Sequence, residues 1–154
     1  MNHVLIVEDD LQICEILEFY LLQSTGYCVT AAHSAEEALE VIQKSPFDII
    51  LLDIMLPGMD GIKLCEKLRH HVFCPIIFIS CLNDDDTVVR AINMGGDDYI
   101  IKPFRAPVLL ARMDACLRRS RMQYAGNSAI AVRDILLDPA SHAVKKSDRT
   151  IMLS

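Results

Sequence analysis

Five short apolar runs recur along the chain, at residues 4–7, 28–32, 49–52, 76–79 and 99–101. Each run is too continuous to be a half-exposed strand, so the runs predict strands buried on both faces. Longer stretches with apolar residues at helical spacing lie between them. This alternation predicts an α/β fold of five β-α units, in which a parallel sheet with right-handed crossovers carries helices on both faces.

Local signals mark where some of these elements begin and end. Ser34 precedes Glu37 by three residues, which is the spacing of a capping box at a helix start. Gly26 and Gly95 lie where helices are expected to stop. These signals agree with the five units that the apolar pattern predicts.

The apolar periodicity stops after residue 117, where Arg, Ser, Gln, Gly and Asn residues take over. This change predicts the end of the fifth helix, with a first domain over residues 1–120, a linker over 121–128 and a second unit over 129–154. Such a small second unit is too short to fold alone. The sequence of this second unit predicts three short antiparallel strands, at residues 130–137, 143–145 and 150–153.

The composition narrows the class of protein. A hydrophobic fraction of 52% in 154 residues is typical of a soluble chain with a proper core. The 6 Cys residues are scattered without a C-x-x-C pair, which argues against a zinc site or a disulfide framework and favours reduced thiols. No apolar segment is long enough for a signal peptide or a membrane span, so we expect a cytoplasmic protein with no membrane partner.

Charge is unevenly distributed along the chain. Residues 1–117 carry a net charge of −10, whereas residues 118–154 carry +4. The acidic residues 1–117 are expected to repel the phosphate backbone of a nucleic acid. Any affinity for nucleic acid must therefore come from the C-terminal end or from a domain attached to it.

Reactive polar side chains follow four of the five predicted strands. Glu8 and Asp9 follow the first strand, Asp53 the third, Ser80 the fourth and Lys102 the fifth. The carboxyl ends of parallel strands share one edge of the sheet, so these groups should meet. Three carboxylates there repel one another by roughly 4 kcal/mol per pair, which calls for a cation, and Mg²⁺ fits best. Such a site can accept a phosphoryl group on a carboxylate.

Each of these residues also has a purely structural interpretation. Glu8, Asp9 and Asp10 could cap the first helix, where the helix dipole favours acids, and for these residues alone the two interpretations are about equally good. Lys102 could extend its stem along apolar surface, and Ser80 could satisfy a backbone group. Their joint placement around Asp53 is what favours a functional site.

The sequence resembles the receiver domain of bacterial two-component response regulators over residues 2 to about 119. The resemblance is carried by residues 4–10, 53–61 and 97–104 together with Ser80, all in order and at the family's spacing. It implies a flavodoxin-like (βα)5 fold with strand order 2-1-3-4-5, and a signalling switch rather than an enzyme. It also implies a sensor histidine kinase as phosphoryl donor.

The resemblance assigns roles to individual residues. Asp53 is the implied phosphoacceptor, and Ser80 and Lys102 are the implied ligands of the phosphoryl oxygens. Tyr99 corresponds to the family's aromatic switch, which is expected to turn as Ser80 moves. A cis peptide is expected between Lys102 and Pro103. The implied Mg²⁺ ligands are Glu8, Asp9, Asp53 and the backbone carbonyl of Met55.

The basic residues after position 117 and the three-strand pattern resemble the OmpR-type subfamily. There, a small antiparallel sheet precedes a winged helix-turn-helix, so the resemblance implies transcription regulation. Because the sequence stops at Ser154, before a recognition helix, we expect promoter DNA to be bound only through a C-terminal domain absent here.

OmpR-type receivers pair through the fourth helix, fifth strand and fifth helix. The residues that match this interface are Val88, Ile92, Asp97, Asp98, Val108, Ala111, Arg112 and Arg119. Val88 and Val108 stand where the family usually has a basic and an acidic residue. One hypothesis is that an apolar contact replaces an ion pair; the alternative is that both valines are buried within one subunit.

Other classes of protein are less compatible with the sequence. A phosphohydrolase of the haloacid-dehalogenase type needs a second Asp two residues after the nucleophile, where this chain has Met55. A flavodoxin-like electron carrier needs a Ser- or Thr-rich phosphate loop after Val7, where this chain has acids. A stand-alone receiver and a non-phosphorylated interaction module both remain open.

Overall fold

The computed structural model describes residues 1–134, 136–138, 143–146 and 149–152, with side chains described as far as residue 123. Strands and helices alternate through the first part of the chain, as the apolar pattern predicts. The elements are β1 (Asn2–Val7), α1 (Leu11–Gln23), β2 (Tyr27–Ala32), α2 (Ala35–Lys44), β3 (Ile49–Leu52), α3 (Gly61–Leu68), β4 (Ile76–Ser80), α4 (Asp85–Asn93), β5 (Asp98–Ile101), α5 (Ala106–Asp134), β6 (Leu136–Asp138), β7 (Ala143–Lys146) and β8 (Arg149–Met152).

The first five strands form one sheet in the order β2-β1-β3-β4-β5, with every neighbouring pair parallel. This is the flavodoxin-like (βα)5 fold that the resemblance implies. The register aligns Val7 with Leu52 and Ser80 with Ile101, so the carboxyl ends of these strands lie along one edge. All residues of β3 and β4 are buried, and each fully buried aliphatic side chain contributes about 1.5–3 kcal/mol to folding.

Side-chain caps start the helices that follow β1, β2, β3 and β4. The cap residues Asp10, Ser34, Asp60 and Asp84 each accept hydrogen bonds from backbone N–H groups of the first turn. The predicted capping box is only half formed, because Glu37 accepts from the His33 backbone N–H instead of returning to Ser34.

The predicted helix stops at Gly26 and Gly95 are confirmed. Both glycines have positive φ, 107° and 121°, a conformation that residues with a Cβ rarely adopt. The chain can therefore reverse directly into β2 and into the loop before β5.

The structure differs from the sequence prediction along residues 121–128, which are helical rather than an irregular linker. The stretch from 111 to 134 contains no proline and is rich in alanine, so the end of apolar periodicity does not end the helix. The first strand of the second unit is correspondingly short, at Leu136–Asp138. The predicted boundaries at 120 and 129 remain predictions.

The three C-terminal strands form an antiparallel sheet of their own in the order β6-β7-β8, as the sequence predicts. Chain contacts divide the protein into two units, Met1–Cys116 and Leu117–Ser154. The predicted end of the third strand, at residue 153, lies outside the described residues.

Candidate functional site

Three carboxylates meet at the carboxyl edge of the sheet. Glu8, Asp9 and Asp53 each offer an oxygen, and these oxygens lie within 4.8 Å of one another. Glu8 is 3% exposed and Asp53 is 6% exposed, whereas Asp9 faces solvent. The Asp53 backbone N–H donates to the Val7 carbonyl at 3.0 Å, which ties the ends of β1 and β3 together. The meeting of these acids, expected from strand order, is therefore observed.

Lys102 reaches this cluster from the loop after β5. Its ammonium Nζ donates to Glu8 Oε1 at 2.6 Å and to Asp53 Oδ2 at 3.0 Å, and its side chain is 10% exposed. The Lys102 backbone N–H donates to the Ser80 carbonyl at 2.9 Å, which holds the loop against the end of β4. The expected cis peptide between Lys102 and Pro103 is present.

The charges at this edge do not balance. One ammonium faces three carboxylates, which leaves two negative charges when all three acids are ionised. Burial, reinforced by the neighbouring Asp53, raises the pKa of Glu8 to about 7 even though Lys102 acts in the opposite direction. Burial lowers the pKa of Lys102, but hydrogen bonds and charges from Glu8 and Asp53 outweigh it and raise that pKa above its usual value. The site therefore favours additional positive charge.

The donor set fits a hard divalent cation. Carboxylate oxygens are the ligands that Mg²⁺ prefers, and a divalent ion would neutralise the remaining two negative charges. The exposed Asp9 leaves the cluster accessible from solvent. The Met55 backbone also lies at the site, since its N–H donates to Asp53 Oδ1 at 3.0 Å.

A close backbone approach fixes the turn that follows Asp53. The Gly61 N–H donates to the Ile54 carbonyl at 2.7 Å. A Cβ at Gly61 would lie 2.0 Å from the Asp53 carbonyl oxygen, so any side chain there would displace the backbone of Asp53. The position of the central carboxylate thus depends on a glycine eight residues later.

Ser80 and Tyr99 lie together at the ends of β4 and β5. Ser80 is fully buried, and its hydroxyl oxygen accepts from the Leu82 backbone N–H at 3.3 Å. The Tyr99 phenol donates to the Leu82 carbonyl at 2.6 Å and lies beside the Ser80 hydroxyl. Tyr99 therefore contacts the β4–α4 loop.

Several residues of the predicted pairing face are exposed. Ile92 is 40% exposed and Val108 is 44% exposed, while Val88 is half-buried. The alternative that both valines are buried within one subunit is thus wrong for Val108. Ala111 and Arg119 are also exposed.

The acidic residues of this face have partners within the chain. Arg112 Nη1 donates to both carboxylate oxygens of Asp98, at 3.2 and 3.1 Å. Asp97 Oδ2 accepts from Arg69 Nη2 and from the Ile76 backbone N–H, both at 2.8 Å. The partnership between Asp97 and Arg69 was not expected from the sequence, because no local signal links a helix end to a loop 28 residues later.

A surface depression of about 450 Å³ opens beside Lys102, between α1 and the β5–α5 loop. Apolar side chains of α1, including Ile16, form one wall. Cys14, on the same helix, is 2% exposed and faces the core instead. The residues that line the depression are Ile13, Ile16, Tyr20, Cys81, Lys102, Pro103 and Phe104.

Two side chains at the site were missed by the sequence analysis. Cys14 Sγ donates to the Glu8 carbonyl at 3.3 Å, and His33 Nδ1 lies 3.1 Å from the same oxygen. His33 directly follows β2, just as the predicted site residues directly follow their own strands. This position after a strand could have identified His33 as a residue near the site.

Within the described part of the chain, no helix is both long and apolar enough to cross a membrane.

Comparison with known proteins identifies the family. The model of the response regulator receiver domain matches residues 4–114. A two-component response regulator from Clostridium difficile is 37% identical, with a TM-score of 0.74 over 77% of this chain and 98% of that chain. The BeF3-activated N-terminal receiver domain of Klebsiella pneumoniae RstA is 38% identical, with a TM-score of 0.72 over 76% and 99%.

A CheY-like receiver domain protein from Methanospirillum hungatei is 31% identical, with a TM-score of 0.75 over 80% of this chain and 98% of that chain. The family match extends over both strand ends that supply carboxylates and over the lysine that joins them. The chain therefore belongs to the response regulator receiver domain family.

Proposed function

We propose that this protein is a phosphorylation-dependent switch in which Asp53 accepts a phosphoryl group from a sensor histidine kinase. The observation that carries the proposal is the convergence of Glu8, Asp9 and Asp53 at one edge of the sheet, where Lys102 pairs with Glu8 and Asp53. These three carboxylates and the Met55 backbone carbonyl would hold Mg²⁺. Once bound, the ion supplies positive charge that neutralises the transferred group.

The chain's own residues prepare Asp53 for this reaction. The Met55 N–H holds one carboxylate oxygen and Lys102 holds the other, so the nucleophile has a fixed orientation. Asp53 is nearly buried, which limits competition from water. After transfer, Lys102 and Ser80 bind the phosphoryl oxygens, and the protein serves as a regulator rather than as a turnover enzyme.

The depression beside Lys102 supports a histidine kinase as the donor of the phosphoryl group. Lys102 both contacts Asp53 and lines this depression, so a protein that brings a phosphohistidine to Asp53 would cover the walls of the depression. The α1 wall exposes Ile16, at 47%, and Phe19 on the same helix is 59% exposed. This apolar surface suits a protein partner such as a kinase better than a small phosphorylated metabolite.

The switch propagates through Tyr99 to the face formed by α4, β5 and α5. Because Tyr99 lies beside Ser80, a phosphoryl group that draws Ser80 toward Asp53 opens space into which the Tyr99 ring turns, and the face changes shape. The altered face then forms a homodimer. Val88 and Val108 supply an apolar contact where an ion pair is usual, with Ile92, Ala111 and the charged residues Asp97, Asp98, Arg112 and Arg119 around them.

The output is transcription regulation through a C-terminal DNA-binding domain of the OmpR type. The three-stranded antiparallel sheet β6-β7-β8 and the basic character of residues 118–154 support this assignment. Promoter DNA is contacted only by that domain, because the acidic body repels phosphate. The protein acts in the cytoplasm, where its kinase phosphorylates it.

The proposal is tested by offering acetyl phosphate with and without Mg²⁺ and measuring the intact mass. The wild-type chain should gain one phosphoryl group only with Mg²⁺, and Asp53→Asn should gain none. Asp10→Asn is a matched control, because Asn preserves the helix cap and leaves the cluster intact. A wild-type chain that stays unmodified would support the alternative, an interaction module that works without phosphorylation.

A further inference from the structure

The peptide bond between Glu8 and Asp9 lies just beyond the end of β1. The Glu8 N–H still pairs with the sheet, since it donates to the Ala32 carbonyl at 3.0 Å. The Glu8 carbonyl instead accepts from side chains, Cys14 Sγ at 3.3 Å and His33 Nδ1 at 3.1 Å. A carbonyl oxygen only accepts, so the His33 contact places a proton on Nδ1.

These two donors come from separate elements, Cys14 from α1 and His33 from the β2–α2 loop. Their Sγ and Nδ1 atoms lie 3.7 Å apart on either side of the shared carbonyl. Burial, reinforced by nearby acids, raises the pKa of Cys14 to about 12, so the thiol keeps the proton that it donates. The His33 loop is itself fixed, because its backbone N–H donates to Glu37 Oε2 at 2.5 Å.

The Glu8–Asp9 peptide unit joins two of the three acids of the cluster. Within residues 1–123, no hydrogen bond or ion pair fixes the Asp9 carboxylate, although it lies within the acidic cluster. The contacts from Cys14 and His33 to the Glu8 carbonyl restrain the backbone from which the Glu8 and Asp9 side chains both project. Metal affinity depends on groups that hold the ligands in place, even when those groups do not touch the ion.

We propose that His33 and Cys14 are positioning residues for the divalent ion, acting by holding the Glu8 carbonyl and thereby restraining the backbone that carries the Glu8 and Asp9 carboxylates. This inference rests on the proposed function, because it assumes that the cluster binds Mg²⁺. His33 is the stronger of the two, since an imidazole N–H is a better donor than a thiol.

The test is a calorimetric titration of Mg²⁺ into the full chain, paired with phosphorylation by acetyl phosphate at increasing Mg²⁺. His33→Leu removes the donor and should weaken Mg²⁺ binding by about threefold to tenfold, the effect of one lost hydrogen bond. The Mg²⁺ concentration for half-maximal phosphorylation should rise by the same factor, while the rate at saturating Mg²⁺ stays unchanged.

His33→Asn should retain nearly wild-type affinity, because its amide N–H can occupy the place of Nδ1. His71→Leu is the matched control, since His71 is exposed on the α3–β4 loop and should bind Mg²⁺ as the wild type does. A purely structural role for His33 would lower the melting temperature of His33→Leu without changing its Mg²⁺ affinity, and this result would overturn the proposal.

The possible failures can be separated. If the wild-type chain binds no Mg²⁺, the proposed function and this inference both fail. If the wild type binds Mg²⁺ and His33→Leu binds it equally well, only the positioning role fails. Should His33→Leu not fold, the Cys14 variants decide: Cys14→Ser should keep the affinity and Cys14→Ala should lose about twofold, and equal affinities would contradict the proposal.

Discussion

At the scale of single residues, Glu8 is the group whose protonation most affects the site. Its folded-state pKa of about 7 lies above its ordinary 4.5, so without a divalent ion the fold favours the protonated acid. The contribution of Glu8 to stability is therefore fully present below about pH 4.5 and is lost as pH rises through about 7. The opposite dependence is expected for Mg²⁺, which requires the ionised carboxylate.

We predict that Mg²⁺ affinity falls about tenfold per pH unit below about pH 7 and levels off above it. Calorimetric titrations between about pH 5.5 and pH 8 measure this directly, and proton release should accompany binding below pH 7. Glu8→Gln, which cannot titrate, should bind more weakly and lose the pH dependence. Equal affinity at about pH 6 and pH 8 would contradict the assignment of Glu8 as a ligand.

Gly61 is a second residue on which the site depends. We predict that Gly61→Ala lowers the free energy of unfolding by about 3 kcal/mol, because its Cβ would meet the Asp53 carbonyl. Gly58→Ala is the comparison: it has positive φ but open space around it, so about 1 kcal/mol is expected from backbone strain alone. Urea unfolding of both variants measures which one loses more free energy of unfolding. A larger loss of stability for Gly58→Ala than for Gly61→Ala would refute the steric argument.

At the scale of secondary-structure elements, Arg69 joins the end of α3 to two neighbouring loops. Its guanidinium donates to the Cys74 carbonyl at 2.6 Å, to the Gly95 carbonyl at 2.5 and 3.0 Å, and to Asp97 at 2.8 Å. These contacts hold the segment between α4 and β5, which precedes the switch residue Tyr99. Asp97 therefore has a structural role in the single chain before any role in pairing.

We predict that Arg69→Met lowers the free energy of unfolding by about 2 kcal/mol, since the partly buried carbonyl oxygens of Cys74 and Gly95 lose their donor. Arg112→Met should cost less than about 1 kcal/mol, because the Arg112–Asp98 pair lies largely in solvent, with Arg112 48% exposed. Chemical unfolding of the two variants makes the comparison. Equal losses would mean that Arg69 contributes no more than a surface ion pair.

The sequence predicted the elements better than the contacts between them. Buried strands such as β3 and β4 can be recognised in the sequence as continuous apolar runs. Because the strands are parallel, the residues that follow them, including Asp53 and Lys102, are expected at one edge of the sheet. The partners of Arg69 and His33 depend on distances between remote segments, which no local pattern encodes. The length of α5 was also missed, because the loss of apolar periodicity after residue 117 does not end a helix that contains no proline.

At the scale of the whole molecule, the proposed dimer should depend little on salt. The exposed Val108 and Ile92 offer apolar area, and the ion pair between Arg112 and Asp98 is already made within one chain. Apolar contacts are not screened by added ions, whereas exposed ion pairs are. We therefore expect the affinity of the proposed dimer to depend more on apolar burial than on charge.

We predict that the dissociation constant of the phosphorylated dimer changes less than about threefold between roughly 0.1 and 0.5 M salt. The double variant Val88→Lys, Val108→Glu restores the usual ion pair and should become more salt-sensitive. Sedimentation in both salts measures the constants. A steep loss of the wild-type dimer with added salt would contradict the apolar contact.

The central claim is that Asp53 alone receives the phosphoryl group, in a reaction that needs a divalent ion held by Glu8 and Asp9. Peptide mapping of the phosphorylated chain tests it most directly. We expect the modification on the peptide that contains Asp53, only when Mg²⁺ is present. A phosphoryl group on another residue, or the same yield on Asp53 after Mg²⁺ is removed by a chelator, would contradict the account.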